Sequence, residues 1–443
     1  MSEAAEPTVA FLPGGDRFED FYDKIGVSLE VFRDRHSGTW LFNCIDALGS
    51  EGIRTVLFFG SARIREPLRF NHVPSGTTVR ILPVPNIHQK TRGWRDRFLP
   101  RSKTLLSIAS YLSLPLRLLA AELRAEHCQL IICQEYEHPR FDMCVLLGRM
   151  LRLPVFGMHQ GANEPTSRVE FPFRKAALRG SAGLIIGAQR EIDRVRTRYR
   201  VPEAKIGRIP NVVDVKSWMP KDRAESRVKL NIGPGARVVV WHGRVQIPRK
   251  GLDVLLDAWG LVCGERPKAD LLLLLVGWGR DADEMRHRIK QFTNITWIDR
   301  YVHDRDLLMC CLSAADVYAL PSRHEGFPVA AIEAMACGLP VVASDADGVI
   351  DVLEGEELSG GVIVPRSDAA ALAAALLRVM DDPVWARELG ARARERAVEH
   401  FSVEVVGKQL RRFIVARGAF GQVQDSRIRH FHRSHRRPEG GHR

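Results

Sequence analysis

Short apolar runs alternate with amphipathic stretches along the chain. In the first half, residues 8–12 read as a strand ending at Pro13-Gly14-Gly15, residues 38–48 as a helix, and residues 54–59 and 79–84 as further strands. The apolar spacing over residues 105–123 predicts one long helix, and short strands are expected at 130–133, 154–158 and 182–186. The second half repeats the logic. Residues 237–241 read as a strand, and Leu252, Leu255, Leu256 and Trp259 fall on one helical face. Residues 271–276 are apolar at every position, as in a central parallel strand covered on both faces. Strands at 316–320 and 340–343 and an alanine- and leucine-rich helix at 369–380 complete the series. Strands alternating with helices make the predicted class α/β, each half a doubly wound parallel sheet. The stretch 209–221, with two prolines and no helical period, is where one half should give way to the other.

A chain of 443 residues suits two domains of roughly 200 residues each. The net charge of +12 implies attraction to something anionic: a membrane surface, nucleic acid or a phosphorylated substrate. The eight cysteines include no C-x-x-C pair and most lie in apolar runs. That argues for buried thiols in a reducing compartment and against a disulfide framework or a zinc site. The N-terminal segment lacks the basic start and long apolar core of a signal peptide, and no run reaches the ~18 apolar residues of a membrane span. A cytoplasmic protein is expected. The stretch 427–443 is strongly basic with few large apolar residues and reads as a disordered tail; His430, His432 and His435 read as part of that solvated tail, not as metal ligands.

The densest chemistry lies in residues 321–338, PSRHEGFPVAAIEAMACG, which place Glu325 and Glu333 eight positions apart. If a helix starts near Pro328, a proline-tolerant position, both carboxylates serve one site at its N-terminal side, where unpaired N–H groups and the helix dipole favour an anion. Carboxylates that hold hydroxyls beside a helix end that holds phosphate suit a sugar nucleotide. The bland alternative is a charged helix start with Glu333 solvated. After the strand at 237–241 come His242-Gly243-Arg244 and then Lys250-Gly251, so two cations flank a loop at a strand's carboxyl end. They suit a diphosphate, including the charge that grows on it as a glycosidic bond breaks, although a solvated basic loop has the same composition. Gly277-Trp278-Gly279 is either a tight turn or a point of close backbone approach. His159 follows the strand at 154–158, again at a carboxyl end; a structural histidine is the alternative to a functional one. Two Asp-x-Asp triplets, Asp281/Asp283 and Asp345/Asp347, read as helix-start or loop carboxylates, so no metal site is assigned. The basic stretch around Trp94 carries Arg92, Arg95, Arg97, Arg101 and Lys103 with Phe98 between them; it fits an anionic membrane surface as well as it fits a solvated loop. No nucleic-acid partner is expected.

The context of the two glutamates, Pro321-Ser322 before, Gly326-Phe327-Pro328 after the first, and Ala334-Met335-Ala336-Cys337-Gly338 after the second, resembles the donor-site signature of family 4 retaining glycosyltransferases. The spacing of Gly243-Arg244 and Lys250-Gly251 matches the same family. The resemblance covers the second half from about residue 237 to 365, and the first half only in general architecture. It implies a GT-B fold of two Rossmann-like domains with an interdomain cleft: acceptor side 1–208, linker 209–222, nucleotide-sugar side 223–402, a helical return 403–426 onto the N-terminal domain, and the basic tail. It implies transfer of a sugar, with retention, from a UDP- or GDP-sugar to a glycan or lipid-linked acceptor in cell-surface polysaccharide or glycolipid synthesis. The donor itself is a substrate, and no cofactor is required. Carried over by matching position, Glu325, Arg244, Lys250 and His159 form the catalytic set, His159 in a positioning or electrostatic role. Glu333 takes the ribose hydroxyls, the N–H groups of Gly326, Phe327 and Val329 face sugar and diphosphate, Gly243 and Gly277 let the nucleotide approach, and the backbone at Tyr301 and Val302 borders the base. The chain departs from the family at Asn211-Val212-Val213-Asp214, where a glycine is replaced, and by an insertion at 16–37 between Gly14-Gly15 and Gly38. Two rivals keep the architecture: a catalytically silent scaffold binding anionic lipid or nucleic acid, and a nucleotide-sugar epimerase or hydrolase.

Overall fold

A computed structural model describes residues 6–37, 39–99, 102–161 and 166–420. The first half forms an eight-stranded sheet from β1 (Thr8–Leu12), β2 (Arg54–Ser61), β3 (Leu68–Asn71), β4 (Thr78–Pro83), β5 (Leu130–Gln134), β6 (Val155–Met158), β7 (Gly183–Ile186) and β8 (Ile206–Arg208). Their order across the sheet is β3-β4-β2-β1-β5-β6-β7-β8, all parallel except the β3–β4 pair. The second half forms a six-stranded parallel sheet from β9 (Arg237–His242), β10 (Leu271–Val276), β11 (Ile295–Ile298), β12 (Val317–Leu320), β13 (Val341–Ser344) and β14 (Gly361–Val364), in the order β11-β10-β9-β12-β13-β14. Each sheet is covered by helices on both faces, which is why β1, β5 and β12 are buried along their whole length and β10 almost so.

Two features of the first half depart from expectation. The apolar stretch 105–123 is not one helix but two, Lys103–Tyr111 and Leu116–Ala125, bent 44° at the break. Pro115 is the cause: it cannot donate an N–H, and its ring disfavours helical geometry at Leu114. No single helix among the described residues is long and apolar enough to cross a membrane; only this bent pair has the length and composition, taken together. The second departure is β3, a short exposed strand that adds an antiparallel edge.

That edge is tied down electrostatically. Glu126, at the end of the Leu116–Ala125 helix, accepts hydrogen bonds from Arg54 (2.6 Å), Arg69 (2.9 Å) and Arg80 (2.9 Å), which lie on β2, β3 and β4. Burial disfavours the Glu126 charge, but the hydrogen bonds from Arg69 and Arg54 and the nearby guanidinium charges outweigh it, and the pKa falls from 4.5 to about 2. A folded pKa below the unfolded one means that the stabilisation is complete above about 4.5 and is lost as pH falls towards about 2. Glu126→Gln is therefore expected to lower stability near neutrality and to flatten its pH dependence across that window. Urea midpoints followed by circular dichroism test this; an unchanged acid limb in the variant would show that other carboxylates carry it.

The two sheets meet through the chain's last described helix and through the cleft loops. The helix Val403–Val415 lies against the helix Thr39–Gly49, close enough that a Cβ at Gly407 would sit 2.4 Å from the Ala47 carbonyl oxygen. Its Phe413 ring covers Gly183 of β7 and Gly207 of β8. The insertion at 16–37 folds into the short helices Glu19–Tyr22 and Leu29–Arg35, whose Tyr22 and Phe32 cluster with Phe18 and Phe59. The basic tail at 427–443 lies outside the described residues.

Candidate functional site

The strand order of the second sheet reverses between β9 and β12, and the carboxyl ends of these neighbours open a crevice of the kind in which α/β sheets bind ligands. The two sequence segments singled out for chemistry leave the sheet there. One runs from His242 through Arg244 to the short helix Ile247–Lys250, and the other from Pro321 to the helix Val329–Ala336, which Pro328 precedes as its cap.

Both glutamates are buried, Glu325 at 8% exposure and Glu333 at 5%, which excludes the solvated helix-start reading. The Glu325 Oε1 atom accepts from Lys250 Nζ at 2.7 Å and from Ser322 Oγ at 2.6 Å. Ser322 is itself fixed by Ser344, whose hydroxyl donates to the Ser322 carbonyl. The Glu333 Oε2 atom lies 2.9 Å from His242 Nε2, while Glu333 Oε1 is buried without a hydrogen-bond partner. Tyr301 is close by. Burial raises the pKa of its phenol, and the charge of Glu333 raises it further, so the hydroxyl keeps its proton as a potential donor. No hydrogen bond among the described residues is donated by the N–H groups of Gly326, Phe327 or Val329. Arg244 points towards the insertion, its guanidinium 5.5 Å from the centre of the Phe21 ring.

The expected backbone features divide. Gly277 sits at φ +130°, and a Cβ there would lie 1.9 Å from the Gly243 carbonyl oxygen. The loops after β9 and β10 thus touch backbone to backbone, which accounts for Gly277 without a ligand. Val302 is half-buried after β11, against the core beneath the helix Val329–Ala336. The Asp-x-Asp carboxylates are engaged in the fold: Asp281 accepts from the Ile247 N–H at 2.9 Å, Asp345 from Arg366, and Asp347 pairs with Arg190. No group of three or more His, Cys, Asp or Glu side chains among the described residues could hold a metal ion.

The first sheet closes on this site. His159 is buried just after β6; its backbone N–H donates to the Ile185 carbonyl at 3.0 Å and its ring lies 5.6 Å from that of Tyr136. Two residues on, Gly161 meets Gly326: a Cβ on Gly326 would lie 2.4 Å from Gly161 Cα. Arg249 donates to the Gly161 carbonyl at 2.8 Å. Gln160 donates to Asn211, which in turn donates to the Phe327 carbonyl, both at 2.8 Å. The Phe327 ring presses on Gly187, so this side chain joins the two sheets instead of facing a ligand. The basic stretch is only partly free. Arg92 is committed to Asp20 (2.8 Å) and Arg95 to Asp96 (2.7 Å), Arg97 lies over Phe98, Lys103 begins its helix, and Trp94, Phe98 and Leu99 are exposed. Arg101 lies outside the described residues.

Residues 236–382 match the family described as glycosyl transferases group 1. The chain carries a glycosyl transferases group 1 domain. Among curated proteins, the glycosyltransferase domain and its surroundings resemble the GDP-mannose-dependent monoacylated alpha-(1-6)-phosphatidylinositol monomannoside mannosyltransferase of Corynebacterium glutamicum, 32% identical over 46% of this chain and 54% of that protein. They also resemble the D-inositol 3-phosphate glycosyltransferase of Jonesia denitrificans, 32% identical over 53% of this chain and 57% of that one. The chain thus spans little more than half the length of the curated relatives it matches. Among solved structures, sucrose-phosphate synthase from Thermosynechococcus elongatus superposes with a TM-score of 0.68 at 23% identity, covering 93% of this chain and 98% of that one. The fold is GT-B: two Rossmann-like α/β domains facing each other across a cleft.

His242, Ser322, Asn211 and Gly161 are working parts of the site that no sequence motif singled out. A signal existed for His242. Along β9 it shares a face with Val238 and Val240, both in the core against Ile332 and Met335, so a polar residue there needs a partner on the helix Val329–Ala336.

Proposed function

We propose that this chain is a retaining glycosyltransferase that moves a sugar from a UDP- or GDP-sugar to a hydroxyl of a glycan or lipid-linked acceptor. The observation that carries the reading is the convergence, at one strand-order reversal, of a buried carboxylate paired with a lysine and a second with one bare oxygen. In this reading Lys250 and Arg244 neutralise the diphosphate, Glu333 holds the ribose hydroxyls, and Glu325 orients the transferred sugar. The N–H groups of Gly326, Phe327 and Val329 face the anion, Gly243 and Gly277 floor the nucleotide pocket, and Val302 borders the base. Oε1 of Glu325 already accepts two hydrogen bonds, which suits positioning better than nucleophilic attack. Retention then follows from reaction on one face of the sugar, the leaving diphosphate taking the acceptor's proton. His159 assists electrostatically from the acceptor side.

Residues 1–208 would hold the acceptor and 223–402 the donor, with 209–222 as linker and 403–426 returning to the first domain. The names of the two relatives make a phosphorylated or lipid-linked inositol derivative the first acceptor class to try. A cytoplasmic location at the inner membrane face would suit a lipid-linked acceptor, with Arg97 and Lys103 beside the exposed Trp94 and Phe98 as the docking face.

A thermal-shift panel of nucleoside diphosphates and nucleotide sugars tests the donor site. A nucleotide at about 100 times its Kd adds about 2.7 kcal/mol of stability. The shift should fall sharply in Glu333→Ala. Equal shifts in wild type and variant would overturn the site.

A further inference from the structure

Glu333 presents a problem of buried charge. A carboxylate at 5% exposure needs its oxygens satisfied, yet Oε1 has no partner and Oε2 has one, the His242 Nε2 at 2.9 Å. His242 is itself buried at 8% exposure, and its Nδ1 makes no hydrogen bond. An ionised carboxylate only accepts, so Nε2 must carry the proton.

The imidazole is firmly placed. It ends β9, its ring is 5.3 Å from that of Tyr318, and the Tyr318 hydroxyl donates to the His242 carbonyl at 3.1 Å. Tyr318 lies on β12, so the histidine is anchored to both strands that flank the crevice.

We infer that His242 is a positioning residue for nucleotide recognition: its Nε2–H fixes one oxygen of Glu333 so that the other is presented to the ribose hydroxyls. The inference rests on the donor-site reading of Glu333. It makes a prediction that the reading alone does not: discrimination between ribose and deoxyribose depends on a side chain that never touches the sugar.

Calorimetry on the full chain with UDP and GDP, each against its 2′-deoxy counterpart, tests it. Wild type should prefer the ribonucleotide. A charged-acceptor hydrogen bond is worth enough that the preference should shrink roughly tenfold in His242→Leu. His242→Gln, whose amide N–H reaches the same place, should retain most of it, a rescue that a merely structural role does not predict. If Glu333→Ala abolishes the preference and His242→Leu keeps it, this inference fails and the donor-site reading stands. If wild type binds both sugars equally, the reading fails and takes the inference with it. Nitrogen NMR of the wild-type chain decides the matter should the leucine variant not fold. A Nε2-protonated His242 whose signal moves when UDP or GDP binds supports the inference; a Nδ1-protonated ring overturns it.

Discussion

Replacing Lys250 with alanine is expected to slow sugar transfer by about 10²–10³-fold while leaving the chain folded. Lys250 Nζ sits 2.7 Å from Glu325 Oε1, but its side chain is 22% exposed, so water can solvate part of what the lysine leaves behind. Ser322 continues to donate to the same oxygen. The cost to stability should therefore stay well below that of breaking a sealed ion pair, which runs to about 3–5 kcal/mol. The cost to chemistry is larger because charge grows on the diphosphate as the glycosidic bond breaks. A point charge aimed there stabilises the transition state more than the bound donor. Arg244 remains in the variant, so donor binding should weaken less than turnover. Lys250→Arg should recover only part of the rate, since a planar guanidinium cannot take the place of a compact ammonium beside Glu325. Release of nucleoside diphosphate under saturating donor, with a thermal melt alongside, checks all of this. A defect confined to KM would restrict Lys250 to ground-state binding.

Much of this site could be read from residues close in sequence. Glu325 and Glu333 share one loop and helix, and the order of apolar runs placed that loop at the end of a central strand. Strands such as β10 were legible because burial on both faces leaves no polar position in them. The break at Pro115 is equally local, but a run dominated by leucines outweighs a single proline in the apolar pattern. Other features join distant segments and leave no local trace. Gly161 and Gly326 leave no room for a Cβ on each other's backbone, and Gly277 leaves none against the backbone of Gly243. The insertion at 16–37 forms two short helices held in place by aromatic contacts with distant residues, such as Phe18 on Phe59. Arg92, which reads as a free surface charge, is committed to Asp20 from that same insertion. Residue chemistry was legible wherever one element supplied it, and illegible wherever the fold assembled it from two.

The meeting of Gly161 and Gly326 gives the second large effect. Gly326→Ala is expected to lower turnover by about 10²-fold with little change in the melting of either half. The added Cβ would lie 2.4 Å from Gly161 Cα, 2.6 Å from its nitrogen and 2.8 Å from the Gln160 carbonyl carbon. All three are backbone atoms, so no rotamer change relieves the clash. Nor can the loop retreat into its own sheet. Gly348, at φ +75°, stands behind it so closely that a Cβ there would be 2.0 Å from the Gly326 carbonyl oxygen. The soft coordinate is the one between the sheets, held by the Asn211 bridge to Gln160 and the Phe327 carbonyl and by Arg249 on Gly161. The cleft should therefore open by the width of a methyl group. Glu325 and Lys250, both on the second sheet's side, would keep their pairing, while the loop that carries His159 moves away from them. Donor binding should thus survive and transfer should fail. Calorimetry with the nucleotide, transfer rate, and small-angle scattering for the change in cleft width together check the prediction. Unaltered transfer in the variant would mean that the closed cleft is not the reacting state.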